Sequence, residues 1–294
     1  MDGLTALGYI EGENLTLEYA NAQGDQANAQ TIATQFASQD HDLILAIATP
    51  AAQAIASTIT DTPVLITAVT DPAFAGLVES NEAPGGNITG TSDMSPIAEQ
   101  IDLLTQLLPQ AEHVGILYAS SEANSKVQAD IAIEAIEDQG LTYEVATASS
   151  SNELQQVVES VIGNVDAIYI PTDNMFANAM PIVKQITEEA GIPIIAGEEN
   201  MMRSGALATV SLSYYVLGEQ TAAMAKRILQ DGANPATMPI EYQTDPQVMI
   251  NMDNARAIRL PIPETLEAER YSATGDTSSI VLNPEDLETQ QTKS

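Results

Sequence analysis

The chain reads as an α/β protein of two doubly wound parallel-sheet lobes, with a hinge and a cleft between them. Three observations predict this. Short continuous apolar runs recur along the chain. Each is followed by a polar turn and then by a longer segment whose apolar residues repeat every ~3.6 positions. The whole series runs through twice. Continuous apolar strands alternating with helices describe a parallel sheet covered on both faces.

In order, the β-like runs are Leu15–Tyr19, Leu43–Ala48, Val64–Val69, Val114–Tyr118, Tyr143–Ala146, Ala167–Ile170, Pro193–Ala196 and Ala208–Ser211. The helical segments are Ala29–Gln39, Pro96–Leu108, Lys126–Gln139, Leu154–Ile162, Pro181–Ala190 and Leu217–Gln230. One series ends near Asn87–Thr91, and the next opens with the helix after Pro96, so the lobes join near Ser92–Pro96. Gly140 closes one helix, Gly191-Ile192-Pro193 separates another from its strand, and Gly232-Ala233-Asn234-Pro235 stops the last. The expected divisions are a first lobe over 1–93, a second over 94–212, returning crossovers over 213–265 and a polar, mobile tail over 266–294.

Composition removes whole classes of function. Nine Lys+Arg against 41 Asp+Glu leave a net charge of −32, which repels phosphate backbones and argues against nucleic acid as a partner. The apolar fraction of 44% is ample for a core. There is no cysteine, and His41 and His113 are too few for a metal cluster, so neither metal nor cofactor is expected. No run approaches the ~20 apolar residues of a membrane span. The opening MDGLTALGYIEGEN has neither a basic nor an apolar region of the signal-peptide kind. The acidity, with only four lysines, is halophile-like.

Parallel α/β sheets bind ligands beyond the carboxyl ends of their strands, so the residues after each apolar run carry the functional expectation. These are Thr49-Pro50-Ala51, Thr70-Asp71, Ser121 with Asn124 and Ser125, and Asp173-Asn174; Glu198 follows a later strand. Helix N-termini there offer N–H groups to an anion, and Asp71 and Asp173 offer acceptors to a cation. An anion site beside a cation site describes a zwitterion, of which a free amino acid is the simplest. Each of these residues is equally the ordinary N-cap that any such helix prefers. Catalysis lacks a residue set: the serines have no His or Cys nearby, and both histidines precede strands, away from the strand ends. Phe74, Phe176, Tyr214 and Tyr215 could stack on an aromatic ligand or serve as packing.

Read in order, these loops resemble the tryptophan/tyrosine-type family of ABC-transporter substrate-binding proteins. The resemblance rests on Leu7-Gly8-Tyr9-Ile10-Glu11-Gly12-Glu13-Asn14, Ala46-Ile47-Ala48-Thr49-Pro50-Ala51-Ala52-Gln53, Val69-Thr70-Asp71-Pro72, Gly86-Asn87-Ile88-Thr89-Gly90-Thr91-Ser92-Asp93, Ser120-Ser121-Glu122-Ala123-Asn124-Ser125, Pro171-Thr172-Asp173-Asn174 and Tyr214-Tyr215-Val216-Leu217-Gly218. It implies a type I periplasmic-binding fold and an amino acid, aromatic or aliphatic, clamped between lobes. It further implies delivery to an ABC permease of the inner membrane, an extracytoplasmic location and a monomer. It adds Ser213 and Tyr214 to the expected site, with Ser213 standing where many members carry Asp. The alternative is an enzyme or a ligand-sensing domain on the same scaffold.

Members of that family begin about one strand and most of a helix earlier, so Met1 is expected inside the first helix. In a strand order of 2-1-3-4-5, Leu15–Tyr19 would be the second strand and Leu43–Ala48 the third, with the first strand between them missing. The first lobe is then expected to be the weaker one. It would collapse so that those two strands pair, or be patched by Ser279-Ile280-Val281-Leu282.

Overall fold

A computed structural model describes residues 1–278. Its elements in chain order are α1 (Asp2–Ala6), α2 (Gln26–Ala37), β1 (Ile44–Ile47), α3 (Thr49–Ala56), β2 (Val64–Val69), β3 (Ile88–Ser92), α4 (Ile97–Leu107), β4 (His113–Ala119), α5 (Ala123–Asp138), β5 (Thr142–Ala148), α6 (Leu154–Val161), β6 (Ala167–Ile170), α7 (Asn174–Ala190), β7 (Ile194–Ala196), α8 (Glu199–Ser204), β8 (Ala208–Ser211), α9 (Tyr214–Leu229), β9 (Gln247–Asn251), α10 (Met252–Ala257) and β10 (Glu269–Tyr271). They divide into two compact units. One holds Met1–Ser95, Glu122–Asn124 and Leu212–Pro246; the other holds Pro96–Ser121, Ser125–Ser211 and the chain from Gln247 on. The returning segment 213–265 is therefore split at Pro246, its first part belonging to one unit and the rest to the other.

The first unit carries a parallel three-stranded sheet in the order β1-β2-β3. On one face Ile44, Ala46, Val64 and Ile66 pack with Ala29 and Ala33 of α2 and Ala52 and Ile55 of α3. On the other, Leu65 meets Met224, Ala225 and Ile228 of α9. A ring of buried hydroxyls ties α9 to the sheet: Thr91 donates to Thr67 at 3.0 Å, and Thr221 lies 3.0 Å from Thr91 and 3.1 Å from Thr67. Gly90 is required in β3. Its φ is +156°, and a Cβ there would lie 1.9 Å from the Ile66 carbonyl oxygen.

The second unit carries seven strands in the order β10-β9-β8-β7-β6-β4-β5, parallel except for the antiparallel pair β8 and β9. Ile168, Ile170, Phe176, Val183 and Met201 form its core with Leu154 and Val158 of α6. A buried polar network joins α4 to β6–β8: Tyr169 donates to Gln100 Oε1 at 2.8 Å, and Gln100 Nε2 donates to the carbonyls of Gly197 (3.1 Å) and Val210 (2.8 Å). Burial pushes the Tyr169 hydroxyl pKa far up, so it stays a donor.

Several expectations are corrected. Leu15–Tyr19 forms no strand; it makes a single bridge, Glu11 to Leu15, and Tyr19 is 72% exposed. An apolar run becomes a strand only where a neighbour takes up its backbone groups, and β1 is paired with β2 alone. The two segments therefore do not collapse onto each other. Asn87–Thr91, read as the end of a series, contributes the strand β3; its Thr-Gly-Thr core is too polar to read as one. The helix expected from Pro181 begins seven residues earlier at Asn174, capped by Asp173, with Pro181 inside it. Within the stretch read as a tail, Glu269–Tyr271 pairs in parallel with β9. The run Ser279–Leu282 lies outside the described residues.

Candidate functional site

In the first unit the carboxyl ends of β1 and β2 carry expected residues, and the end of β3 carries one outside the expected set. β1 leads through Ala48, held at φ +74°, into α3, so Thr49 is its first residue and Pro50 and Ala51 follow in the first turn. Pro is suited there because its missing N–H is one the helix could not use. Thr49 is buried. At the end of β2, Asp71 Oδ1 accepts from the N–H groups of Ala73 and Phe74, each at 3.1 Å, and from Asn81 Nδ2 at 3.2 Å. That carboxylate caps its own turn.

Beyond β3 stands Asp93, 3% exposed. Its Oδ1 accepts from the Thr70 hydroxyl at 3.2 Å and its Oδ2 from the Tyr214 hydroxyl at 2.8 Å. Burial raises the Asp93 pKa, and the hydrogen bonds from Tyr214 and Thr70 oppose that shift. Ser213 caps α9, accepting from Val216 N at 3.4 Å, and exchanges two further bonds with the Gln243 side chain. Asn124, grouped with this unit, donates to Glu122 Oε2 at 3.4 Å, both residues being buried.

In the second unit the ends of β4, β6 and β7 converge in the same way. Asp173 is 1% exposed; its Oδ2 accepts from Ala119 N at 2.7 Å and its Oδ1 from Phe176 N at 2.8 Å. One carboxylate thus caps α7 and ties the end of β4 to the end of β6. Ser125 donates to the Thr172 carbonyl at 3.1 Å, and Asn174 opens α7. Glu198 caps α8 with both oxygens, accepting from Asn200 N (2.7 Å) and Met201 N (2.6 Å). Gly197 admits the close approach of this loop, since a Cβ there would meet Thr172 N at 2.2 Å. Ser121 lies exposed beside this group. Of the aromatic residues, Phe176 is fully buried in the second unit's core, whereas Phe74 and Tyr215 are 55% and 61% exposed.

Asp93 is the functional candidate that the sequence reading passed over. The signal was present in Ser92-Asp93, a strand end like the others, but β3 is not apolar enough to announce itself. Chemically, the two sets of loops offer hydroxyls, amides, buried carboxylates and helix N-termini. Among the described residues no group of His, Asp and Glu is arranged to hold a metal ion.

A family model for ABC transporter substrate binding proteins matches residues 1–273. The tyrosine-binding protein of Clostridioides difficile is 39% identical over 251 residues, covering 85% of this chain and 72% of that protein. The crystal structure of an ABC domain from Streptococcus pneumoniae in complex with L-Trp superposes with a TM-score of 0.88 at 36% identity, over 92% of this chain and 91% of that one. A leucine-binding protein from Thermotoga maritima shares the fold at 14% identity and a TM-score of 0.54, over 80% of this chain and 72% of that one.

Proposed function

The chain belongs to the ABC-transporter substrate-binding proteins, with their type I periplasmic-binding-protein-like fold, and we propose that it binds a free aromatic amino acid for delivery to an ABC permease. The family binds solutes and does not transform them. Its members of the Trp/Tyr type take amino acids, and they work outside the cytoplasm. Among the described residues no helix is long and apolar enough to cross a membrane. The observation that carries the aromatic reading is the likeness, along most of the chain, to a tyrosine-binding protein and to an L-Trp complex.

The geometry supports a zwitterionic ligand. The first turn of α3, with Thr49, Pro50 and Ala51, presents N–H groups suited to a carboxylate. Thr70, Asp71, Asn124, Ser213 and Tyr214 complete the first unit's share. Ser121, Ser125, Asp173, Asn174 and Glu198 supply the remaining polar groups.

Isothermal titration of the chain with L-tyrosine, L-tryptophan, L-phenylalanine and L-leucine tests this. One-site binding of at least one aromatic amino acid, tighter than that of leucine, is expected. No heat and no thermal shift with any of them at millimolar concentration would refute the reading. So would a preference for leucine, as far as the aromatic class is concerned.

A further inference from the structure

We propose that Asp93 is the acceptor for the ligand's α-ammonium group. The assignment rests on the amino-acid reading above and names the residue that distinguishes an amino acid from its deaminated analogue.

Asp93 competes for this role with Asp71, Asp173 and Glu198, and hydrogen bonds separate them; Glu198 spends both oxygens capping α8. Asp173 spends an oxygen on each of two backbone N–H groups, Ala119 and Phe176. Asp71 directs one oxygen at two backbone N–H groups and an amide of its own turn. Those bonds cap helices and turns, which is structural work. Asp93 instead accepts mainly from two side-chain hydroxyls, Thr70 and Tyr214, its one backbone donor being its own N–H, which caps no helix. Hydroxyl hydrogens rotate, so both donors can stay in place while the carboxylate takes a further partner.

Asp93 is nevertheless buried, and among the described residues no Lys or Arg forms an ion pair with it. A buried carboxylate is costly unless it is paired, and two neutral hydroxyls do not neutralise it. An ionised carboxylate has about four acceptor positions, of which the hydroxyls occupy two. A ligand ammonium supplies both the missing charge and the missing donors. The position is right as well, because Asp93 follows the carboxyl end of β3, where ligands of parallel sheets lie. Thr70 at the end of β2 and Tyr214 at the start of α9 then act as positioning residues that hold the carboxylate in one orientation.

The test measures the affinities of L-tryptophan and of indole-3-propionate, which lacks the amine, in the wild type, Asp93→Asn and Asp93→Ser. Circular dichroism confirms that each variant is folded, and the two variants guard against one failing to fold. In both variants L-tryptophan should weaken by about tenfold or more while indole-3-propionate is unchanged, so discrimination between them collapses. Unchanged discrimination in a folded variant, or an equal loss for both ligands, overturns the assignment while leaving the amino-acid reading intact. If the wild type binds no aromatic amino acid, the amino-acid reading itself falls, and this assignment with it.

Discussion

The edge strands of the two sheets make an instructive pair. β5, an edge of the seven-stranded sheet, sends Thr142 and Thr147 to solvent along with Val145, and it pairs with β4 over all seven residues. β1, the corresponding edge of the three-stranded sheet, is Ile-Leu-Ala-Ile, with Leu45 49% and Ile47 60% exposed. Polar side chains at an edge suit it to water and discourage pairing with other strands, and β5 follows that rule more closely than β1 does. β1 has the composition of an interior strand in an edge position. Apolar patterning thus reports what a strand is suited to bury, while its place in the sheet depends on which neighbours are present.

Core truncation should show the largest contrast. Ile116→Ala in β4, at 0% exposure, should cost about 2–5 kcal/mol, whereas Leu45→Ala in β1 should cost about 1 kcal/mol or less. Differential scanning calorimetry of both variants checks this; equal costs would mean that β1 is covered in solution.

Amide exchange sharpens the same contrast. Ile44 and Ala48 donate across to the β2 side, to Pro63 and Thr67, which leaves the N–H groups of Leu45 and Ile47 on the other edge. These two amides should exchange faster than those of Ile116 and Leu117 in β4, as read by NMR or mass spectrometry. Equal protection would show that something pairs with β1.

The fold was largely legible because most strands are continuous apolar runs buried on both faces, as at β2 and β6. What escaped reading has physical causes. β3 is polar because Thr91 bonds Thr67 of β2 and Thr221 of α9, Thr89 donates to the Met238 carbonyl, and Gly90 must approach Ile66. β9 and β10 lie beyond the last recognisable helix, and their places are defined by partners far along the chain. In the site, the strand-end loops could be listed from spacing. Which carboxylate caps and which stays available depends on hydrogen bonds such as Ala119 N to Asp173, and spacing does not show these.

A smaller effect concerns pH. The Asp93 pKa is raised by burial, so the folded state holds that proton more tightly than the unfolded chain does. Stability from this group is therefore present at low pH and lost as pH rises through the folded value. Lowering the pH from neutrality should stabilise the wild type relative to Asp93→Asn, in melting curves recorded without ligand. A parallel dependence in the two proteins would mean that the carboxylate is not desolvated. The smallest effect belongs to the β1 surface: Leu45→Thr with Ile47→Thr should shift stability by no more than about 0.5 kcal/mol. A large loss in chemical denaturation would place those side chains in a contact.

The central claim, that the chain binds an aromatic amino acid at its strand-end loops, is tested most directly by hydrogen exchange with and without saturating L-tryptophan. New protection is expected in the first unit near Thr49–Ala51, Thr70–Asp71 and Asp93. It is expected equally in the second unit near Ser121, Ser125, Asp173–Asn174 and Glu198. Absence of new protection from these loops while ligand is bound would contradict the account.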